Sequence, residues 1–221
     1  MNNRVKGDIA AKRPYNSARR AEQAAETRRV VLSAAHDLFT TQGYAGTTVS
    51  AIATRAGVAA DTVYATVGRK PILLRELVET AISGSTHAVP AEQRGYVREI
   101  QAASTARDKL AIYASAIAHI QQRLGPVFLV VRDAAGTDPE CAALWSGIAE
   151  RRAANMRNLA ADLRATGEIR EDLTDQQVAD VIWSMNAAEY WDLLVRQRGW
   201  QSDDFAHWLA DAWTRLLLRE S

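Results

Sequence analysis

The chain has little of what most catalytic, secreted and membrane proteins are built from. Cys141 is the only cysteine in 221 residues. That excludes an internal disulfide and leaves a cysteine-based metal site without ligands. No stretch approaches the roughly 20 uncharged apolar residues that span a bilayer. The opening MNNRVKGDIAAKRPYNSARR lacks the apolar core of a secretory signal. A cytoplasmic protein with no membrane partner is expected. No G-x-G-x-x-G, Walker A or H-E-x-x-H pattern occurs. Neither the serines nor the cysteine have a nucleophile-elbow context. His36, His87, His119 and His207 are far apart, without ligand spacing. The pair Asp203–Asp204 falls at a helix start, where it favours the helix dipole. No enzyme, metal or cofactor is expected; an all-α enzyme or a protein-interaction module without DNA binding remains the alternative.

Sustained strand alternation is missing too, as is any internal repeat. What is present is helical periodicity. The composition, 48% hydrophobic and 24% charged, is that of a globular protein with a core. The reading is all-α with about nine helices. Residues 1–20 form a flexible basic arm, 21–70 a helix-turn-helix head and 71–221 a helical body. The first helix runs from Glu22 to Gln42, with Val31, Ala35, Leu38 and Phe39 on one face and Gly43 as a left-handed cap. Pro71 opens another helix, and Pro90 a short one. Ala106 to Leu124 is helical, Gly125-Pro126 breaks the chain, and Val127–Val131 is a brief helical run. Asp138-Pro139 caps and opens a helix to about Ala165, ended by Gly167. A capping box from Thr174 to Gln177 opens a helix to about Gln197. Ser202 caps the last one.

Charge is uneven. Residues 1–70 hold eleven Lys/Arg and five Asp/Glu, whereas residues 71–221 hold sixteen and twenty-one. A basic front and an acidic rear point to a polyanion met by the front alone, or else to chance drift.

The segment TTVSAIATRAGVAADTVYATVGRK, residues 47–70, gives the front a shape. Thr48 caps a helix from about Val49 to Ala56, with Val49, Ile52, Ala53 and Ala56 inward. Small Ala53 permits a close crossing, Gly57 turns the chain, and Val58 fills the angle. A second helix from about Ala60 to Thr66 turns Val63 inward. Two short helices around a glycine turn make a helix-turn-helix or an ordinary helical hairpin. In the former the second helix enters the major groove. Its outward residues are Ala60, Asp61, Thr62, Ala65 and Thr66. Thr62 suits a base or phosphate, the alanines suit thymine methyls, and Asp61 suits cytosine N4. Thr47 and Thr48 sit where amides and a hydroxyl bind one phosphate, and Tyr64, Arg69 and Lys70 suit a flanking one.

From about Arg28 to Val78 the chain resembles the DNA-binding domain of the TetR (tetracycline repressor) family. The resemblance lies in LFTTQGYAGTTVSAIATRAGV, TVY and GRKPILL. It implies a three-helix head, a fourth connecting helix, and a variable helical body that binds a small-molecule effector and forms a homodimer on double-stranded operator DNA. Repression is likewise the family's implication. By the same resemblance Thr48 is the helix-start threonine, Gly57 and Val58 are the turn, and Tyr64 and Lys70 touch phosphate. Ala59 stands where the family often has serine. Thr66 and Val67 stand where it often has aromatics, so base contacts do not carry over.

No tryptophan precedes Trp145; all six lie from there on. The last helix carries Phe205, Trp208, Leu209, Ala212, Trp213 and Leu216 at spacings of three and four. With Trp191 of the helix before it, these are the expected dimer interface, the competing reading being an intramolecular core. Asn186 and Glu189, read as sharing one helical face, lie near Trp183 and Tyr190. With His119, Phe128, Arg132 and Trp145 they are the candidates for a ligand site, or else ordinary core residues.

Overall fold

The computed structural model describes residues 15–84, 89 and 93–220. The arm over residues 1–14 and the helix expected at Pro90 lie outside the described residues. Among the described residues ten α-helices follow one another: α1 (Tyr15–Gly46), α2 (Val49–Ala56), α3 (Ala60–Thr66), α4 (Lys70–Ser83), α5 (Gly95–Ala102), α6 (Ala106–Ala135), α7 (Pro139–Arg164), α8 (Asp175–Met185), α9 (Ala188–Trp191), extended by a π-helical turn at Asp192–Gln197, and α10 (Ser202–Leu217). Among the described residues there is no strand, only an isolated bridge between Ile169 and Leu218.

Helix α1 starts earlier than its apolar pattern. Residues 15–20, expected in the flexible arm, are helical. The stretch ARRAEQAAE, residues 18–26, is made of strong helix formers, so propensity extends the helix without apolar periodicity. At its other end Gly43 has φ 72° and ψ 172°, so it kinks the helix instead of capping it in the left-handed conformation. One further turn, Tyr44–Gly46, follows the kink. The inward residues are as the spacing predicts: Val31, Ala35, Leu38 and Phe39 are buried against Ile52, Ala53, Val63, Leu73 and Leu74. That shared core holds up α2 and α3, which are too short to persist alone.

Helix α6 is the axis of the body and touches α1, α4, α5, α7, α9 and α10. It runs unbroken through Gly125-Pro126, which corrects the expected break. Proline removes one hydrogen bond from the ladder, yet packing from six neighbours holds the helix together. Gly125 makes room for α9: a Cβ there would lie 3.0 Å from Cε3 and 3.1 Å from Cζ3 of buried Trp191. Leucine is a good helix former, so Gly125→Leu isolates this steric conflict. It is expected to cost about 1–3 kcal/mol in urea denaturation.

The helix expected over 174–197 begins with its capping box but is broken. Asn186, 2% exposed, ends α8. Its carbonyl accepts from Gln121 Nε2 at 2.7 Å, and its Nδ2 donates to Tyr113 Oη at 2.8 Å. Tertiary partners thus replace the helical ones and stabilise the break. Asn186 and Glu189 consequently do not share one helical face. Ser202 is not the cap of α10; that position is Gln201, with no side-chain bond, and Ser202 Oγ turns to the Ala118 carbonyl.

Candidate nucleic-acid interface

The short helices are joined as their residues dictate. Thr48 Oγ1 accepts from the Ala51 amide at 3.1 Å and starts α2. Gly57 adopts φ 69° and ψ 30°, the left-handed conformation that glycine takes without strain. The Val58 amide donates to the Ala53 carbonyl at 3.0 Å and closes the turn. Val63 is fully buried, so the opposite side of α3 must face outward. Asp61, Tyr64 and Ala65 are exposed, and Ala60, Thr62 and Thr66 are half-exposed. Tyr64, at 51%, is among the most exposed large hydrophobic side chains. The outer face of α3 is therefore small and low, with one protruding aromatic at its edge. Helix ends of this size fit a major groove about 12 Å wide.

Thr48 remains exposed, but Thr47 does not. Thr47 is 1% exposed and its hydroxyl donates to the Gly43 carbonyl at 2.8 Å. It fastens the kinked end of α1, and the expectation that it meets phosphate is corrected. The signal missed was the need to satisfy the carbonyl freed at Gly43.

The cations of the described head already have partners. Arg28 pairs with Glu76, Arg29 with Glu26, and Arg55 with Asp37 at 2.7 Å. Arg69 pairs with Glu140 of α7 at 3.0 Å. Lys70 Nζ donates to the Tyr44 carbonyl at 2.7 Å and lies 4.1 Å from the Tyr44 ring centre. The exposed ion pairs among these are worth only about 0–1 kcal/mol each, so a phosphate can displace them.

The Arg69–Glu140 pair and one further contact tie the head to the body. Tyr44 Oη donates to Asp138 Oδ2 at 2.6 Å, while Asp138 Oδ1 accepts from the Glu140 and Cys141 amides as the cap of α7. Tyr44, Lys70 and Arg69 therefore converge on the first turn of α7. Pattern reading missed Tyr44 and Asp138 as a pair, because 94 residues separate them. The Tyr44 hydroxyl and the two amides hold the Asp138 carboxyl below its ordinary range. Burial pushes the Tyr44 hydroxyl up and the Lys70 ammonium down. A carboxylate with a depressed folded pKa stabilises the fold above its unfolded value and loses that contribution as pH falls through the folded value. The stability difference between wild type and Tyr44→Phe should thus be largest near neutrality and narrow as pH drops below about 4. Urea titrations at stepped pH measure it; a gap independent of pH contradicts it.

The expected ligand residues divide into separate places. Phe128 and Trp145 pack at 4.7 Å between ring centres. Arg152 lies over Trp183 at 5.0 Å and over Phe128 at 6.0 Å, and it donates to the Trp183 carbonyl and to Asn186 Oδ1. Phe128, Trp145, Trp183 and Asn186 thus gather around Arg152, which sequence reading passed over. Its spacing, Trp145–Ile148–Arg152–Met156, does put it on the inner face of α7. Arg132 instead pairs with Glu189 at 3.6 Å, and Tyr190 stacks on Trp208 at 5.3 Å. His119 stands exposed on the rim of a separate cleft between α4, α5 and α6.

The expected dimer surface also needs correction. Trp191, Phe205, Leu209 and Trp213 are buried inside the single chain, at 5% exposure or less. They are intramolecular core. Trp208 and Ala212 are half-exposed and Leu216 is 46% exposed. These three remain on the outer face of α10.

A helix-turn-helix with its second helix presented to solvent, seated on a large all-α body, defines a class of DNA-binding regulator. Residues 31–76 match the model of the bacterial regulatory proteins of the tetR family. The match covers the helix-turn-helix head, and the fold as a whole is like that of solved structures, a putative TetR-family transcriptional regulator from Rhodococcus sp. among them. Another similar structure is NalD, the secondary repressor of the MexAB-OprM multidrug efflux pump in Pseudomonas aeruginosa, at 18% identity and TM-score 0.69, covering 90% of this chain and 100% of that one. The transcriptional regulator FadR from Bacillus subtilis, solved with stearoyl-CoA, is 20% identical with TM-score 0.67, covering 84% and 96%. The SmeT–triclosan complex is 18% identical with TM-score 0.68, covering 88% and 93%. Comparison with curated proteins returns no match. No described helix is long and apolar enough to cross a membrane.

Proposed function

We propose that the protein is a homodimeric repressor that leaves its operator when a small molecule occupies the body. The observation that carries the DNA half of this reading is the exposed, low-profile face of α3 on a rigidly packed head. Residues 21–70 act as the DNA-binding domain and 71–221 as the ligand-binding and dimerisation domain. Ala60, Asp61, Thr62, Ala65 and Thr66 face the major groove. Thr48, Tyr64, Arg69 and Lys70 take backbone phosphate. Arg69 and Lys70 must exchange Glu140 and the Tyr44 carbonyl for phosphate oxygens as they do so.

Dimerisation follows from the geometry of reading: two heads engage half-sites about 34 Å apart. The outer face of α10 exposes Trp208, Ala212 and Leu216, and in the preceding segments Leu193 is exposed and Val181 and Met185 are half-buried. These apolar side chains support a four-helix interface between two copies. The solved neighbours bound to triclosan and to stearoyl-CoA support a small-molecule effector. The effector must prefer the spacing of heads that does not fit DNA, because only differential affinity shifts an equilibrium. Occupying a promoter as a dimer then blocks transcription.

Light scattering with and without DNA from the region upstream of the coding sequence tests the dimer. The expected species is twice the 24.3 kDa chain mass. A single-chain mass at micromolar concentration in both conditions contradicts the reading. Tyr64→Ala should weaken specific and competitor DNA alike, as loss of a backbone contact does.

A further inference from the structure

Helices α4, α5 and α6 border an open cleft of about 400 Å³. That is within the range of small-molecule sites, roughly 300–1,000 Å³. Ile82, Ile120 and Tyr96 give it an apolar wall, and Arg94 and Arg123 give it cations, with the His119 imidazole at its rim. No Asp or Glu is among its described lining residues.

Each of these three groups is anchored and still has capacity to bind. Arg94 donates through Nε and Nη2 to the Val89 carbonyl at 3.1 and 3.0 Å. Arg123 donates through Nε to the Ala81 carbonyl at 3.1 Å. His119 Nδ1 lies 2.8 Å from the Ser115 carbonyl, which leaves Nε2 for another partner. The remaining guanidinium N–H groups have no carboxylate among the described residues. Fixed guanidinium forks beside apolar surface match a carboxylate attached to a hydrocarbon.

We propose that this cleft binds an organic anion, a carboxylate carrying an apolar chain or ring. The head group meets Arg94 and Arg123, and the hydrocarbon lies along Ile82, Ile120 and Tyr96. That the bound anion also acts as effector rests on the regulatory reading above. The route for it is short. Arg123 holds the last turn of α4, and Lys70 is the first residue of the same helix. An anion that draws on Arg123 therefore pulls on the helix whose other end carries the head's cations.

Calorimetric titration of the full chain with octanoate, benzoate and octylammonium tests the site. At least one of the two carboxylates is expected to bind, and octylammonium is not. Arg94→Gln and Arg123→Gln should each weaken carboxylate binding by about tenfold or more. Ala116→Trp, which fills the cleft and keeps both arginines, should abolish it. Circular dichroism checks that each variant is folded. Any of three results overturns the proposal: neither carboxylate binds, octylammonium binds as tightly, or Arg94→Gln and Ala116→Trp leave affinity unchanged. Gel shifts separate the two readings. If a carboxylate binds in the cleft but DNA affinity stays constant, the effector reading fails and the site stands. If another compound releases DNA equally well from Ala116→Trp, regulation stands and this site is not its seat.

Discussion

Trp213→Ala should unfold much of the population of this protein at moderate urea. Trp213 is fully buried, and its ring stacks on Tyr113 of α6 at 5.7 Å between centres. It is the side chain by which α10 locks onto the body's central helix. Truncating a buried tryptophan costs about 3–5 kcal/mol, a large share of the roughly 5–15 kcal/mol that stabilises a domain. Trp213→Phe should lose far less, about 1–2 kcal/mol, because a ring still meets Tyr113. That milder change also removes an indole N–H with no acceptor among the described residues. Denaturation followed by circular dichroism orders the three proteins. Near-equal stability of Trp213→Ala and wild type contradicts the burial of α10 within one chain.

Ala65→Glu should abolish specific DNA binding while leaving stability almost unchanged. Ala65 is exposed on the outer face of α3, so the new side chain meets no core atom. Exposed substitutions of this kind stay within about 0.5 kcal/mol of wild-type stability. In a groove the same carboxylate faces phosphate on both walls and an acceptor-rich floor. Losing one good base contact costs about 1–3 kcal/mol, and the repulsion adds to that, so a drop of at least about a hundredfold is expected. The pairing of unchanged stability with lost binding separates a reading helix from a merely structural hairpin. If binding falls only in proportion to stability, α3 is not the reader.

The head was legible because its constraints are local. Thr48 as cap, Gly57 as turn and Val63 as inward anchor sit within sixteen residues, and their spacing alone determines the geometry. The body was legible as helices but not as contacts. Gly125-Pro126 reads as a break only until Trp191 is seen to need the glycine's space. Asn186 ends a helix through bonds to Tyr113 and Gln121, far away in sequence. Four apolar residues assigned to a dimer interface proved to be core, since an apolar stripe does not say whether its partner is the same chain or another. Thr47 looked like a phosphate ligand until the Gly43 carbonyl was seen to need its hydroxyl. Arg152 was hidden among Arg151 and Arg157, and only periodicity set it apart.

The central claim is that α3 reads DNA. Fluorescence anisotropy of a labelled duplex from the upstream region, titrated with the protein at about 50 and 200 mM salt, tests it most directly. A specific duplex should bind more tightly than competitor, and affinity should fall steeply with salt as phosphate contacts release counterions. Equal affinity for both duplexes, or no binding at the lower salt, would contradict the account.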